Sequence, residues 1–163
     1  MHVLYKYGLV LLLFFQAGQV YSQKITSYKI GELEEVINKS DKPMIINFWA
    51  TFCIPCIEEI PYFIKKANEY KNQDVSLLLV SLDMQDYYPA KISAFADKQK
   101  FNAPIAWLNE TDADLFCPRI DQSWSGAIPA TLFVNNKTGY RKFFEEQLTE
   151  NVLETEIKAM LKE

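Results

Sequence analysis

The chain has 163 residues, 49% hydrophobic and 23% charged, which is the size and composition of one ordinary globular domain. Its net charge is −4 and no basic stripe runs along it, which argues against nucleic acid as a partner. The only histidine is His2, and the cysteines are three: Cys53, Cys56 and Cys117. That set is too small and odd for a disulfide-stapled scaffold, and it falls short of four zinc ligands.

The first residues read as an export signal. Lys6 is a short positive start, residues 8–15 are an apolar stretch, and Val20-Tyr21-Ser22 is a small-residue cleavage context before Gln23. The apolar stretch is short for a bilayer span, and no Cys follows it to carry a lipid; an uncleaved anchor is the alternative reading. Removing residues 1–22 takes away Lys6 and no acid, leaving 16 basic against 21 acidic residues, a net −5. It also takes away His2, so residues 23–163 contain no histidine. Ser-His and Cys-His nucleophile pairs, His-containing zinc or copper sites and haem attachment are thereby excluded.

Residues 31–38 have helical spacing and end near Ser40-Asp41, before Lys42-Pro43 punctuates the chain. Residues 44–50 (Met-Ile-Ile-Asn-Phe-Trp-Ala) form a nearly continuous apolar run, as expected for a central strand covered on both faces. A helix is predicted over residues 54–70, with Ile57, Ile60, Phe63, Ile64 and Ala67 on one face and Pro61 expected to kink it. Residues 75–82 make a second buried strand, so a parallel βαβ unit with a right-handed crossover follows.

A helix is predicted over residues 88–100, a short strand over 103–108, and one helical turn over 112–117 closed by Pro118. Residues 130–134 and 140–144 flank a polar loop ending in Gly139, which reads as a β-hairpin. Thr149 caps a last amphipathic helix through Leu153, Ile157 and Leu161. Runs such as residues 32–35 and 98–100 read as solvated helix faces. There are no repeats and no linker.

Cys53 falls where the first central strand hands over to a helix. A thiolate there faces unpaired backbone N–H groups and the positive end of the helix dipole, so its pKa is expected to be depressed. Cys56 lies about one turn further in, close enough to close a small disulfide ring or to attack a mixed disulfide on Cys53. Pro55 fits early in a helix, where its missing N–H costs little. A lone Cys-x-x-Cys is a weak signal; after a buried strand and before a Pro-containing helix it points to redox work. A half zinc site, a static disulfide and two incidental thiols are the alternatives.

Residues 47–56 (Asn-Phe-Trp-Ala-Thr-Phe-Cys-Ile-Pro-Cys) resemble the active-site strand and turn of thioredoxins. Asn47 stands where thioredoxins proper carry a buried Asp, and Phe52 replaces a usual Trp. Asn47 together with Cys56-x-x-Glu59-x-Pro61 is similar to the TlpA/ResA-type exported oxidoreductases. Ile128-Pro129-Ala130-Thr131 resembles the cis-proline segment of that family. The 73 positions from Cys56 to Pro129 exceed a minimal thioredoxin, and the surplus over residues 84–106 resembles the helix and strand those proteins insert. The resemblance implies a thioredoxin fold of the α/β class, a central mixed sheet flanked by helices. The usual N-terminal β-hairpin is expected to be replaced by a short helical stretch.

The resemblance also implies roles. Cys53 is the attacking thiolate and Cys56 the resolving thiol. Glu59 is the candidate to exchange a proton with Cys56, an exposed helix carboxylate being the alternative. Pro129 in cis exposes the Ile128 backbone to an extended substrate chain; the alternative is a trans proline entering a strand. Trp49, Phe52 and Trp124 are candidate groove walls, although Trp49 reads equally as core and Trp124 as a loop anchor. Cys117 reads as an inert core residue.

The uncharged Ile54-Pro55 pair favours a reductase, which in an oxidising compartment must be recharged, and the resemblance implies a membrane electron donor for this. Protein disulfides, apo-cytochrome c among them, are the implied substrates, no cofactor is expected, and the chain is expected to act as a monomer. Rival readings are a disulfide oxidase or isomerase, a non-enzymatic binding module or metal chaperone, and a peroxiredoxin-like peroxidase. The last needs Thr and Arg beside its Cys, and the only arginines are Arg119 and Arg141.

Overall fold

The computed structural model describes residues 24–162. The predicted export signal at 1–22 lies outside the described residues. A mixed sheet of six strands organises the chain, in the order β1-β4-β3-β2-β5-β6. The strands are β1 (Thr26–Tyr28), β2 (Met44–Trp49), β3 (Ser76–Ser81), β4 (Ile105–Leu108), β5 (Ala130–Asn135) and β6 (Tyr140–Phe144). The first four run parallel, β5 pairs antiparallel with β2, and β6 closes the hairpin with β5. All six residues of β2 are buried, which is why its sequence shows no polar alternation.

Alternate residues of the central strands feed two cores. Ile45, Trp49, Leu79 and Phe133 face α2 (Ile54–Glu69), α3 (Ala90–Gln99) and α5 (Glu150–Met160). Ile46, Phe48, Val80 and Leu132 face α1 (Ile30–Asn38) and α4 (Ala113–Ile120). Side chains of this size contribute about 1.5–3 kcal/mol each when fully buried. α2 continues unbroken through Pro61, with Cys56, Ile60 and Phe63 on its buried face. Among the described residues no helix is long and apolar enough to cross a membrane.

One strand has no signal in the sequence, and one expectation is corrected here. β1 was not legible: three residues carry no periodic signal, and the strand exists because it pairs with Ala106, Trp107 and Leu108. The Asn109 N–H closes that edge on the Tyr28 carbonyl at 2.8 Å, and Glu110 accepts from the Ile30 N–H at 3.0 Å. The short turn expected at residues 112–117 is instead the helix α4, which runs past Pro118 to Ile120. Asp112 caps it by accepting from the Asp114 N–H at 3.0 Å. Pro118 withholds one N–H from a carbonyl in the exposed first turn, and burial of Phe116, Cys117 and Ile120 outweighs that loss.

Candidate active site

β2 ends at Trp49, and the turn that follows delivers Cys53 to the start of α2, where it is the N-cap. Cys53 and Cys56 are joined as a disulfide, with their Cα atoms 5.3 Å apart. The Cys53 sulfur also accepts from the Cys56 N–H at 3.3 Å, and the Cys53 N–H donates to the Ala50 carbonyl at 3.0 Å. Cys56 is fully buried, whereas Cys53 keeps 7% of its surface open between Phe52 and Ile54, each 69% exposed. Cys53 is therefore the more exposed of the two cysteines, and the residues flanking it in the chain are apolar.

Glu59, one turn beyond Cys56, is completely buried, so the exposed-carboxylate alternative falls. Its Oε1 accepts from Asn47 Nδ2 at 2.8 Å and its Oε2 from the Leu148 N–H at 2.7 Å. Asn47 Nδ2 also donates to Thr131 Oγ1 at 3.0 Å, its cross-strand neighbour. Burial raises the Glu59 carboxyl to about 7, against the lowering effect of the Leu148 and Asn47 hydrogen bonds. This carboxyl, balanced near neutrality, sits on α2 three residues beyond Cys56. Asn47 Oδ1, also buried, has no hydrogen-bond partner.

The turn before Cys53 is held by a residue that sequence reasoning missed. Asp83, buried just after β3, accepts from the Thr51 N–H with both carboxylate oxygens at 3.1 Å and from the Thr51 hydroxyl at 2.6 Å. Ser81 donates its hydroxyl to the same carboxylate at 2.8 Å. The Asp83 carbonyl accepts from the Trp107 indole at 2.7 Å. A usable signal existed: a Ser-x-Asp at the carboxyl end of a parallel strand is where α/β proteins build sites. Hydrogen bonds to a charged group are worth about 1.5–3 kcal/mol each, and truncation here strands several donors. Asp83→Ala is expected to lower unfolding stability by about 3 kcal/mol in urea titration. An unchanged midpoint would show that the carboxylate does not order the turn.

The remaining predicted site residues divide. The Ile128–Pro129 bond is cis, and it leads directly into β5, whose pairing with β2 ends at Phe48 and Ala130. Phe52 is exposed beside Cys53. Trp49 and Trp124 are not groove walls. Trp49 is fully buried, its ring packed on Phe95 and Phe101, because β2 is covered on both faces. Trp124 is 5% exposed and packs on Phe48, Phe116 and Phe143, in the core on the far side of the sheet. Cys117 is free and buried in that same core, and burial foremost pushes its thiol up to about 11. It is not poised to react at neutral pH.

Sheet order, helix placement and a dithiol pair at the head of α2 define a thioredoxin-like protein. The crystal structure of a thioredoxin-related protein from Neisseria meningitidis serogroup B superimposes with a TM-score of 0.63 and 26% identity, over 74% of this chain and 86% of that one. The model of the AhpC/TSA family matches residues 21–139, and the chain belongs to that family. A thiol-disulfide oxidoreductase ResA from Oceanobacillus iheyensis is 31% identical over 136 residues, 78% of this chain and 66% of the relative. Another ResA, from Halalkalibacterium halodurans, is 28% identical over 127 residues, 76% of this chain and 65% of the relative. The chain thus spans just under two thirds of the length of these relatives.

Proposed function

We propose that this protein is an exported thiol–disulfide oxidoreductase that works as a reductase on protein disulfides. The observation that carries the reading is the Cys53–Cys56 pair at the head of α2 with the buried Glu59 carboxyl one turn behind. In the reduced protein the Cys53 thiolate attacks one sulfur of a substrate disulfide and expels the other as a thiolate. Glu59 takes the proton of Cys56, whose thiolate then attacks the Cys53 sulfur and expels the second substrate thiolate. The substrate gains two electrons, and the protein is left with the Cys53–Cys56 disulfide. A donor of two electrons must then reduce it again, and a membrane protein is the proposed source. The ResA relatives support the activity, and the apolar, Lys-led pattern of residues 1–22 supports action outside the cytoplasm. Apo-cytochrome Cys pairs are one substrate class that this reading allows.

Ile54 and Pro55 bring no charge to Cys53, and both arginines are engaged on the other face of the sheet. Arg119 pairs with Glu34 on α1, and Arg141 donates to the Ile120 carbonyl at 2.7 Å. The helix terminus alone favours the thiolate, and a weakly stabilised reduced form makes a reductant. The same absence of arginine disfavours the peroxidase alternative. The expected reduction potential lies near about −270 mV, the thioredoxin value, and far from the −120 mV or so of strong oxidants. Insulin reduction with dithiothreitol as donor, together with a glutathione redox titration, tests both claims. No insulin turnover, or a potential close to the oxidant value, overturns the reading.

A further inference from the structure

Just before Pro129 the chain makes a tight turn over residues 125–127, with Gly126 at φ +98°, a conformation that L side chains rarely adopt. That turn is held from outside itself. Glu145, the residue after β6, accepts at a single oxygen, Oε1, from the Ser125 N–H at 2.9 Å, the Ser125 hydroxyl at 2.5 Å and the Ala127 N–H at 2.9 Å. Trp124 donates its indole N–H to the Ala127 carbonyl at 2.9 Å. Partial burial raises the Glu145 carboxyl, but the hydrogen bonds from Ser125, Ala127 and Gly126 outweigh it and hold it below the ordinary carboxylate value.

Every backbone group these two side chains reach is satisfied as far as Ala127. Ile128 is the next residue, and among the described residues its N–H and C=O make no hydrogen bond. It lies two residues beyond the last β2–β5 pair, Phe48 with Ala130, and its side chain packs against the core cluster that includes Cys53. An unpaired peptide next to the cis proline is a docking edge only if it is held still. Glu145 supplies the fixed end.

We propose that Glu145 is a positioning residue that holds the turn at residues 125–127, and thereby fixes the Ile128 peptide as the edge on which an extended polypeptide substrate pairs. This rests on the oxidoreductase reading above. Glu145 touches no reacting atom, so it governs capture of a polypeptide and leaves the sulfur chemistry to the cysteines. A small disulfide without a backbone gains nothing from the edge.

The test compares Glu145→Ala and Glu145→Gln on a disulfide-containing polypeptide and on hydroxyethyl disulfide. Glu145→Ala is expected to raise KM for the polypeptide about tenfold, the factor that loss of one hydrogen bond's worth of binding gives, with kcat within about twofold. Turnover of hydroxyethyl disulfide is expected to stay within the same factor. Glu145→Gln keeps an acceptor oxygen and is expected to restore most of the polypeptide affinity. Equal losses on both substrates, no loss on either, or a Gln variant no better than Ala overturns the proposal. If the wild-type protein reduces neither substrate, the oxidoreductase reading itself has failed, an outcome distinct from the variant results.

Discussion

Cys53→Ser is expected to abolish disulfide reduction, while Cys56→Ser stops turnover and accumulates mixed disulfides. The thiolate is the nucleophile in thiol–disulfide exchange, and a hydroxyl cannot replace it. Cys53 keeps 7% of its surface open and Cys56 none, which supports the proposal that Cys53 attacks first and Cys56 resolves the mixed disulfide formed on it. Stability separates lost chemistry from lost structure. Ser is a better N-cap than Cys, and the Cys56 N–H that Cys53 receives remains available to it. Against the reduced wild type, Cys53→Ser is therefore expected to be neutral or more stable by up to about 1 kcal/mol. Against the oxidised wild type it loses only the closure of a very short loop, about 2 kcal/mol in the chain-entropy account. Non-reducing gels of partner-treated variants and urea titrations check both halves. Turnover in Cys53→Ser, or mixed disulfides on that variant and none on Cys56→Ser, reverses the assignment.

Glu59→Gln is expected to slow turnover about 100-fold at pH 8, the lower end of what a positioned general base contributes. The wild-type rate should rise as pH passes through about 7, where the Glu59 carboxyl ionises, and this inflection should vanish in the variant. The variant is expected to fold. Asn47 Oδ1 lacks a partner, and a half-turn of the Asn47 amide aims it at the new amide nitrogen. Stability changes in a definite direction. Burial raises the folded carboxyl from 4.5 to about 7, so the folded state holds this proton more tightly than the unfolded state. Glu59 therefore favours folding most below pH 4.5, and that advantage is lost as pH climbs through 7. The loss is on the order of 3 kcal/mol. Glu59→Gln should match wild type near pH 4.5 and exceed it at pH 8, a difference in which the other carboxylates cancel. Urea midpoints at the two pH values measure it. Wild-type kinetics across pH 5–9 would remove Glu59 from the proton route.

The Cys53–Cys56 pair, the strand before it, the helix after it and the β5–β6 hairpin were all legible in the sequence. Each rests on local physics: a continuous apolar run for a strand covered on both faces, a proline early in a helix, a polar loop ending in glycine. Glu59 could be named as a candidate, but not its state. Its partners Asn47 and Leu148 lie 12 and 89 residues away, and only packing of the segment before α5 onto α2 buries it and brings it near neutrality. β1 depends on a partner strand 80 residues distant. Trp49 and Trp124 reached the core because both faces of the sheet are covered, a fact that aromatic character cannot announce. Asp83 and Glu145 act by tying the turns around Cys53 and Ile128 from other strands. Hydrophobic period and capping are properties of neighbours in the chain, so the sequence by itself determined the elements and the reacting pair. Burial, proton affinity and the hold on the two turns belong to contacts between distant segments, and the tertiary structure alone decided them.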